Sequence, residues 1–193
     1  MRILYLYCHP LPDSFHAAVR AAALAALRPA GHAIDLLDLY AEAFEPSLPA
    51  EELRQYRNPS RNQAGLASYV ARLRSAEALV AQFPTWSFGA PAMLKGFLDR
   101  LFIPGVAIDL SGDRPRPILD NLRHIVGVVT YGQGRPAAAR MGDPPRGIVT
   151  RFLPWFASAG AAVRYCALYG VDESTAAARH AFVAEVERTM RGL

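Results

Sequence analysis

The chain has 193 residues, 52% hydrophobic and 20% charged, and a formal net charge of +4. That length and balance suit one folded domain over residues 1–193 with a sizeable core, and they exclude a disordered chain. The positive surplus is small, scattered and almost wholly arginine, with Lys95 the only lysine, so no nucleic-acid partner is expected.

Arg2 to Tyr7 (RILYLY) predicts a first strand, His9 to Ser14 a turn, and Phe15 to Arg28 an Ala-rich helix stopped by Pro29 and Gly31. His32 to Leu39 predicts a second strand. Tyr40 to Asn62 is a long polar connection with one short helix at Pro49 to Tyr56. A helix over Ala64 to Ser75 leads to a third strand at Glu77 to Phe83. A turn follows, then a helix over Ala90 to Phe102 and an irregular stretch at Ile103 to Asn121. Leu122 to Tyr131 is the fourth strand, Gly132 to Gly147 a Gly-, Pro- and Arg-rich loop, and Ile148 to Ser158 a helix. Ala162 to Tyr169 is the fifth strand and Ser174 to Met190 the last helix. Strands that alternate with helices and are apolar throughout predict an α/β fold. It is a doubly wound, flavodoxin-like parallel sheet of five strands in the order 2-1-3-4-5, with helices on both faces.

Cys8 and Cys166 lie in apolar runs, and no CxxC or His/Cys cluster exists. They read as small core residues, with no metal and a reduced, cytoplasmic setting. The amino-terminal MRILYLYCHP is too short an apolar run for a signal peptide or for membrane insertion.

In a parallel sheet the loops after strands one, three and four emerge at one edge, where such folds bind ligands. In HPLPDSF, Ser14 is a natural N-cap, and the helix it opens offers amides to a phosphate. His9 and His16 flank it as further donors; the alternative is that Ser14 only caps and His9 is a satisfied polar residue. The second loop carries Pro84, Thr85, Trp86, Ser87 and Phe88, an aromatic face with successive amides, although Trp86 and Phe88 also suit core or subunit contact. The third offers Thr130, Tyr131 and Gly132, whose glycine lets a ligand approach the backbone. Phosphate donors in one loop and ring-stacking groups in two others describe a flavin site. The absence of GxGxxG and of a Walker A pattern after the first strand speaks against a classical NAD Rossmann or P-loop site.

HPLPDSF, FPTWSFGAPAMLKGFLDRLFIPGVA (Phe83 to Ala107) and GVVTYG (Gly127 to Gly132) resemble the flavodoxin-like NAD(P)H:quinone oxidoreductases. The resemblance implies a flavin-dependent homodimer that passes two electrons from NAD(P)H to a quinone-like acceptor in a ping-pong cycle. Pyrophosphate contacts would then fall to His9, Ser14, Phe15 and His16. Isoalloxazine contacts would fall to Pro84, Thr85, Trp86, Ser87, Phe88, Thr130, Tyr131 and Gly132. Tyr131 is the one candidate catalytic side chain. FAD is the expected flavin, with FMN the alternative. The family's Tyr and His of the loop after the fourth strand are missing from Gly132 to Gly147, whose cations are Arg135, Arg140 and Arg146. Those arginines could attract the extra phosphate of NADPH. The alternatives are a flavodoxin-type carrier, which the basic charge disfavours, a regulatory subunit of a potassium-efflux system, and an azo- or nitro-group reductase.

Overall fold

Strand β1 (Arg2–Tyr7) is apolar and aromatic after Arg2, and Ile3 to Tyr7 are all buried. A segment with that composition can only be central, and the computed structural model, which describes residues 1–193, puts it between two neighbours. Around it the chain runs α1 (Phe15–Leu27), β2 (Ala33–Asp38), α2 (Ala50–Arg54), α3 (Ala67–Ser75), β3 (Ala78–Thr85) and α4 (Ala92–Leu101). A small antiparallel ribbon follows, β4 (Ile108–Asp109) with β5 (Arg116–Pro117), then β6 (His124–Tyr131), α5 (Arg135–Arg140) and α6 (Pro144–Gly147). A π turn (Ile148–Phe152) leads into α7 (Leu153–Phe156), β7 (Ala162–Tyr169) and α8 (Ala176–Arg191).

The five long strands pair in parallel in the order β2-β1-β3-β6-β7, which is 2-1-3-4-5 when they alone are counted. Successive side chains of a strand face opposite ways, so each strand feeds two cores. Leu4, Leu6, Leu79, Phe83, Ile125, Val129 and Tyr131 pack with α3, α4 and α7. Ile3, Tyr5, Tyr7, Val80, Val126 and Val128 pack with α1 and α8. Cys8 and Cys166 are buried free thiols, as expected of small core residues.

Three expectations need correction. Strand β3 runs two residues past Phe83, because Pro84 and Thr85 continue the register with Thr130 and Tyr131 of β6. A proline there costs little, being near the strand end where one missing donor is tolerated. The stretch Gly132 to Gly147 holds α5 and α6 rather than being all loop. Pro136 in the first turn and the alanines after it favour the first helix, and the Asp143 carboxylate caps the second by accepting from the Arg146 amide. The helix expected at Ile148 to Ser158 widens into the π turn just before Pro154, which has no N–H for the carbonyl one turn back.

The long connection after β2 is tied down on α4. Arg100 donates from Nε and Nη2 to the two oxygens of Glu52, at 2.9 and 2.5 Å, and Gly96 lies against Pro46. A methyl at Gly96 would collide with the backbone of Pro46. Glycine to alanine inside a helix usually gains about 1 kcal/mol. Here a backbone atom cannot give way, and overpacking of about 1–3 kcal/mol wins. Gly96→Ala is therefore expected to lower the urea midpoint. An unchanged or higher midpoint would show that this connection is not clamped on α4.

Candidate active site

The carboxyl ends of β1, β3 and β6 open onto one cleft of about 480 Å3. His9, Ser14, Phe15, His16, Pro84, Thr85, Trp86, Thr130 and Gly132 line it, so all three loops singled out in the sequence meet there. A larger cleft of about 580 Å3, between the ribbon strand β5 and Trp155, is lined largely by Pro, Ala and Gly. It lacks the cluster of donors that converges on the first.

Ser14 caps α1 as expected: its Oγ accepts from the Ala17 amide at 3.2 Å and donates to the Leu11 carbonyl at 2.8 Å. The amides of Phe15 and His16 have no acceptor within the chain, and the first turn holds no acidic residue. The positive end of the helix dipole thus faces the cleft without compensation.

The two histidines differ. His9 is half-buried, and its Nδ1 accepts from the Leu11 amide at 3.1 Å, which leaves the proton on Nε2 free to donate. His16 is buried, and both of its ring nitrogens are engaged. Nε2 pairs with Thr130 Oγ1 at 2.7 Å and Nδ1 with Gln82 Nε2 at 3.2 Å. Its ring cannot serve a phosphate as well, so only its backbone amide remains for that role. Burial, with His9 stacked 5.3 Å away, pushes the His16 pKa down to about 3, and the ring is neutral. Behind it, Gln82 donates to the His16 carbonyl at 2.7 Å and accepts from the Tyr5 hydroxyl at 2.5 Å.

After β3 the chain makes a two-residue hairpin. The Trp86 amide donates to the Gly89 carbonyl at 3.1 Å, and the Gly89 amide donates back at 2.9 Å. Its two central residues, Ser87 and Phe88, both have positive φ, 49° and 59°. This is the conformation that Asn-Gly adopts cheaply and a bulky side chain does not. Trp86 is 42% exposed over the cleft, 6.1 Å from the His9 ring. Ser87 and Phe88 do not line the cleft; they form the hairpin tip beside it. Thr85 is among the lining residues, but its hydroxyl oxygen is buried and has no partner, and its register with Tyr131 sends that side chain to the other face of the sheet.

Tyr131 is turned away. Its side chain is 1% exposed on the other face of the sheet, where its hydroxyl donates to Asp143 at 2.6 Å and its ring stacks on Tyr169 at 4.2 Å. Burial, and then the Asp143 carboxylate, raise its pKa far above the usual phenol value. The structure does not bring this hydroxyl to the cleft, and a catalytic part for it is withdrawn.

Sequence reasoning missed the contribution of the segment after β7. Val171, Asp172 and Arg179 also line the cleft. Arg179 donates from Nε to Ser174 at 2.9 Å and from Nη2 to the Val171 carbonyl at 3.3 Å; its guanidinium lies 5.9 Å from the Phe15 ring centre. It has no carboxylate partner. The signal was available, because the loop after the fifth strand emerges at the same edge as the other three.

The chain is similar to known proteins along its length. It is 29% identical over 147 residues to the human ribosyldihydronicotinamide dehydrogenase [quinone], covering 68% of this chain and 64% of that protein. It is 26% identical over 110 residues to the FMN-dependent NADH:quinone oxidoreductase of Lachnoclostridium phytofermentans, covering 56% of each. The chain thus spans less than two thirds of the length of these curated relatives. The crystal structure of Smu.1420 from Streptococcus mutans UA159 superposes with a TM-score of 0.88 at 27% identity, each chain covered in full. Residues 1–190 match the family model described as flavodoxin-like fold, and the chain belongs to that flavodoxin-like family.

Proposed function

We propose that the chain is a flavin-dependent NAD(P)H oxidoreductase that carries two electrons to a quinone-like acceptor, with the flavin in the cleft at the carboxyl edge of the sheet. The observation that carries this reading is the set of unsatisfied groups collected there. The Phe15 and His16 amides have no partner in the chain, the Arg179 guanidinium has no acidic partner, and Trp86 stands exposed beside them. Buried polar groups left so are rare, and these suit a ligand with one anionic end and one planar polar end.

When bound, a flavin supplies the hydride chemistry, accepting from a nicotinamide and delivering to an acceptor. The chain's residues bind and orient. The start of α1 and Arg179 would take the phosphate, and Trp86 would lie against the ring system. Gly132, having no side chain, leaves room for the Asp172 carboxylate against the end of β6, where it would meet sugar-like hydroxyls. One helix start and one arginine make a place for one phosphate group. This supports FMN over the FAD expected from sequence, as does the relative named FMN-dependent.

The exposed aromatic rings of Phe152 and Trp155, 39% and 47% accessible, support a homodimer, because apolar surface of this kind marks protein contacts. The reading keeps the chain in the cytoplasm, where two free buried thiols are usual. No helix is long and apolar enough to cross a membrane.

The test is an anaerobic half-reaction. The flavin-loaded chain should lose its visible band on addition of NADPH or NADH and regain it on addition of a quinone. A band that neither nucleotide bleaches would overturn the enzyme reading and leave a carrier or regulatory role.

A further inference from the structure

One hydrogen-bond polarity runs unbroken from the core to the cleft. The His16 backbone carbonyl can only accept, so the Gln82 group 2.7 Å from it must be the amide nitrogen. That orientation turns Gln82 Oε1 to the Tyr5 hydroxyl, which donates to it at 2.5 Å. It also aims the second Gln82 N–H at His16 Nδ1, 3.2 Å away, and makes that nitrogen an acceptor. In a neutral imidazole the proton then sits on Nε2, which donates to Thr130 Oγ1 at 2.7 Å. Thr130 accepts from His16, and its own O–H is left without an acceptor in the chain. Thr130 lines the cleft.

We propose that Gln82 and His16 are positioning residues that fix the Thr130 hydroxyl as a hydrogen-bond donor to an acceptor atom of the ligand's planar ring. The inference rests on the flavin reading and adds to it a defined contact and its cause. Tyr5, Gln82 and His16 are buried, neutral and satisfied, so nothing about the arrangement costs the fold an unpaired polar group. A simple spacer at these positions would need no polar side chain at all. The buried glutamine is the residue type that can hold one tautomer of His16 against a carbonyl. The Thr130 hydroxyl is held in register before ligand arrives, so no rotor is frozen on binding.

Two measurements test it. Imidazole 15N shifts of the flavin-free chain should give His16 as the Nε2–H tautomer, and Gln82→Leu should lose that preference; an Nδ1–H ring in the wild type would overturn the proposal. Fluorescence titration with FMN then gives a double-mutant cycle, run on variants whose circular dichroism matches the wild type. Thr130→Val is expected to weaken FMN binding about fivefold to tenfold, the size of one hydrogen bond. Gln82→Leu should do nearly the same, and the double variant should lose no more than Thr130→Val alone. Should Gln82→Leu fail to fold, Gln82→Met takes its place in the cycle. FMN binding with fully additive losses would overturn the proposal alone. A wild-type chain that quenches neither FMN nor FAD would overturn the flavin reading, and this proposal with it.

Discussion

Replacing Arg179 by alanine is expected to weaken FMN binding about tenfold to a hundredfold while leaving riboflavin binding nearly unchanged. The guanidinium is the only cationic side chain lining the cleft, and no carboxylate of the chain neutralises it. Hydrogen bonds between a cation and a phosphate contribute about 1.5–3 kcal/mol each, and partial exposure of Arg179 places it in the lower part of that range. Truncation also frees Ser174 and the Val171 carbonyl, so some loosening of that loop is expected. Riboflavin separates the two effects, because it keeps the ring and the sugar-like chain but lacks the phosphate. Equal losses for the two ligands would make Arg179 a brace for the loop rather than a phosphate ligand.

The second large effect concerns the hairpin tip. Changing Ser87 and Phe88 together to glycine should leave the thermal midpoint level or raise it, yet lower quinone turnover at kcat/KM by about tenfold. Each non-glycine residue at positive φ costs on the order of 1 kcal/mol, and the two hydrogen bonds between Trp86 and Gly89 hold both there. Relief of that strain offsets the loss of a half-buried phenyl ring. A sequence that merely needed a turn would carry Asn-Gly. Phe88 in that strained position is expected, on the proposed function, to hold a flat acceptor at the tip beside the cleft. A variant that loses stability and keeps full turnover would reduce the tip to packing.

Much of this was legible in the sequence because local signals and global fold agree. The buried run RILYLY, the Ser14 cap, and Pro91 at the start of α4 each specify one local structure, and the parallel order follows from strands that alternate with helices. The convergence of three loops was legible for the same reason, since a parallel sheet puts every strand's carboxyl end at one edge. What escaped depends on side-chain direction or on long-range contact. Tyr131 is one residue from Thr130, and the period of two sends it to the opposite core, where Asp143 and Tyr169 hold it. His16 looked like a phosphate donor until Gln82, 66 positions away, engaged its ring. Arg179 was one of many arginines, and only the packing of α8 beside Phe15 sets it apart. The helices α5 and α6 were masked by the prolines and glycines around them, although Pro136 and Pro145 fall in first turns, where proline is at home.

The most direct test of the central claim is a crystal structure of the chain grown in saturating FMN. The account predicts one flavin per chain, its phosphate on the Phe15 and His16 amides and Arg179, its ring against Trp86, and Thr130 Oγ1 within hydrogen-bond distance of a ring acceptor. A flavin bound away from the carboxyl edge of the sheet, or an empty cleft under those conditions, would contradict it.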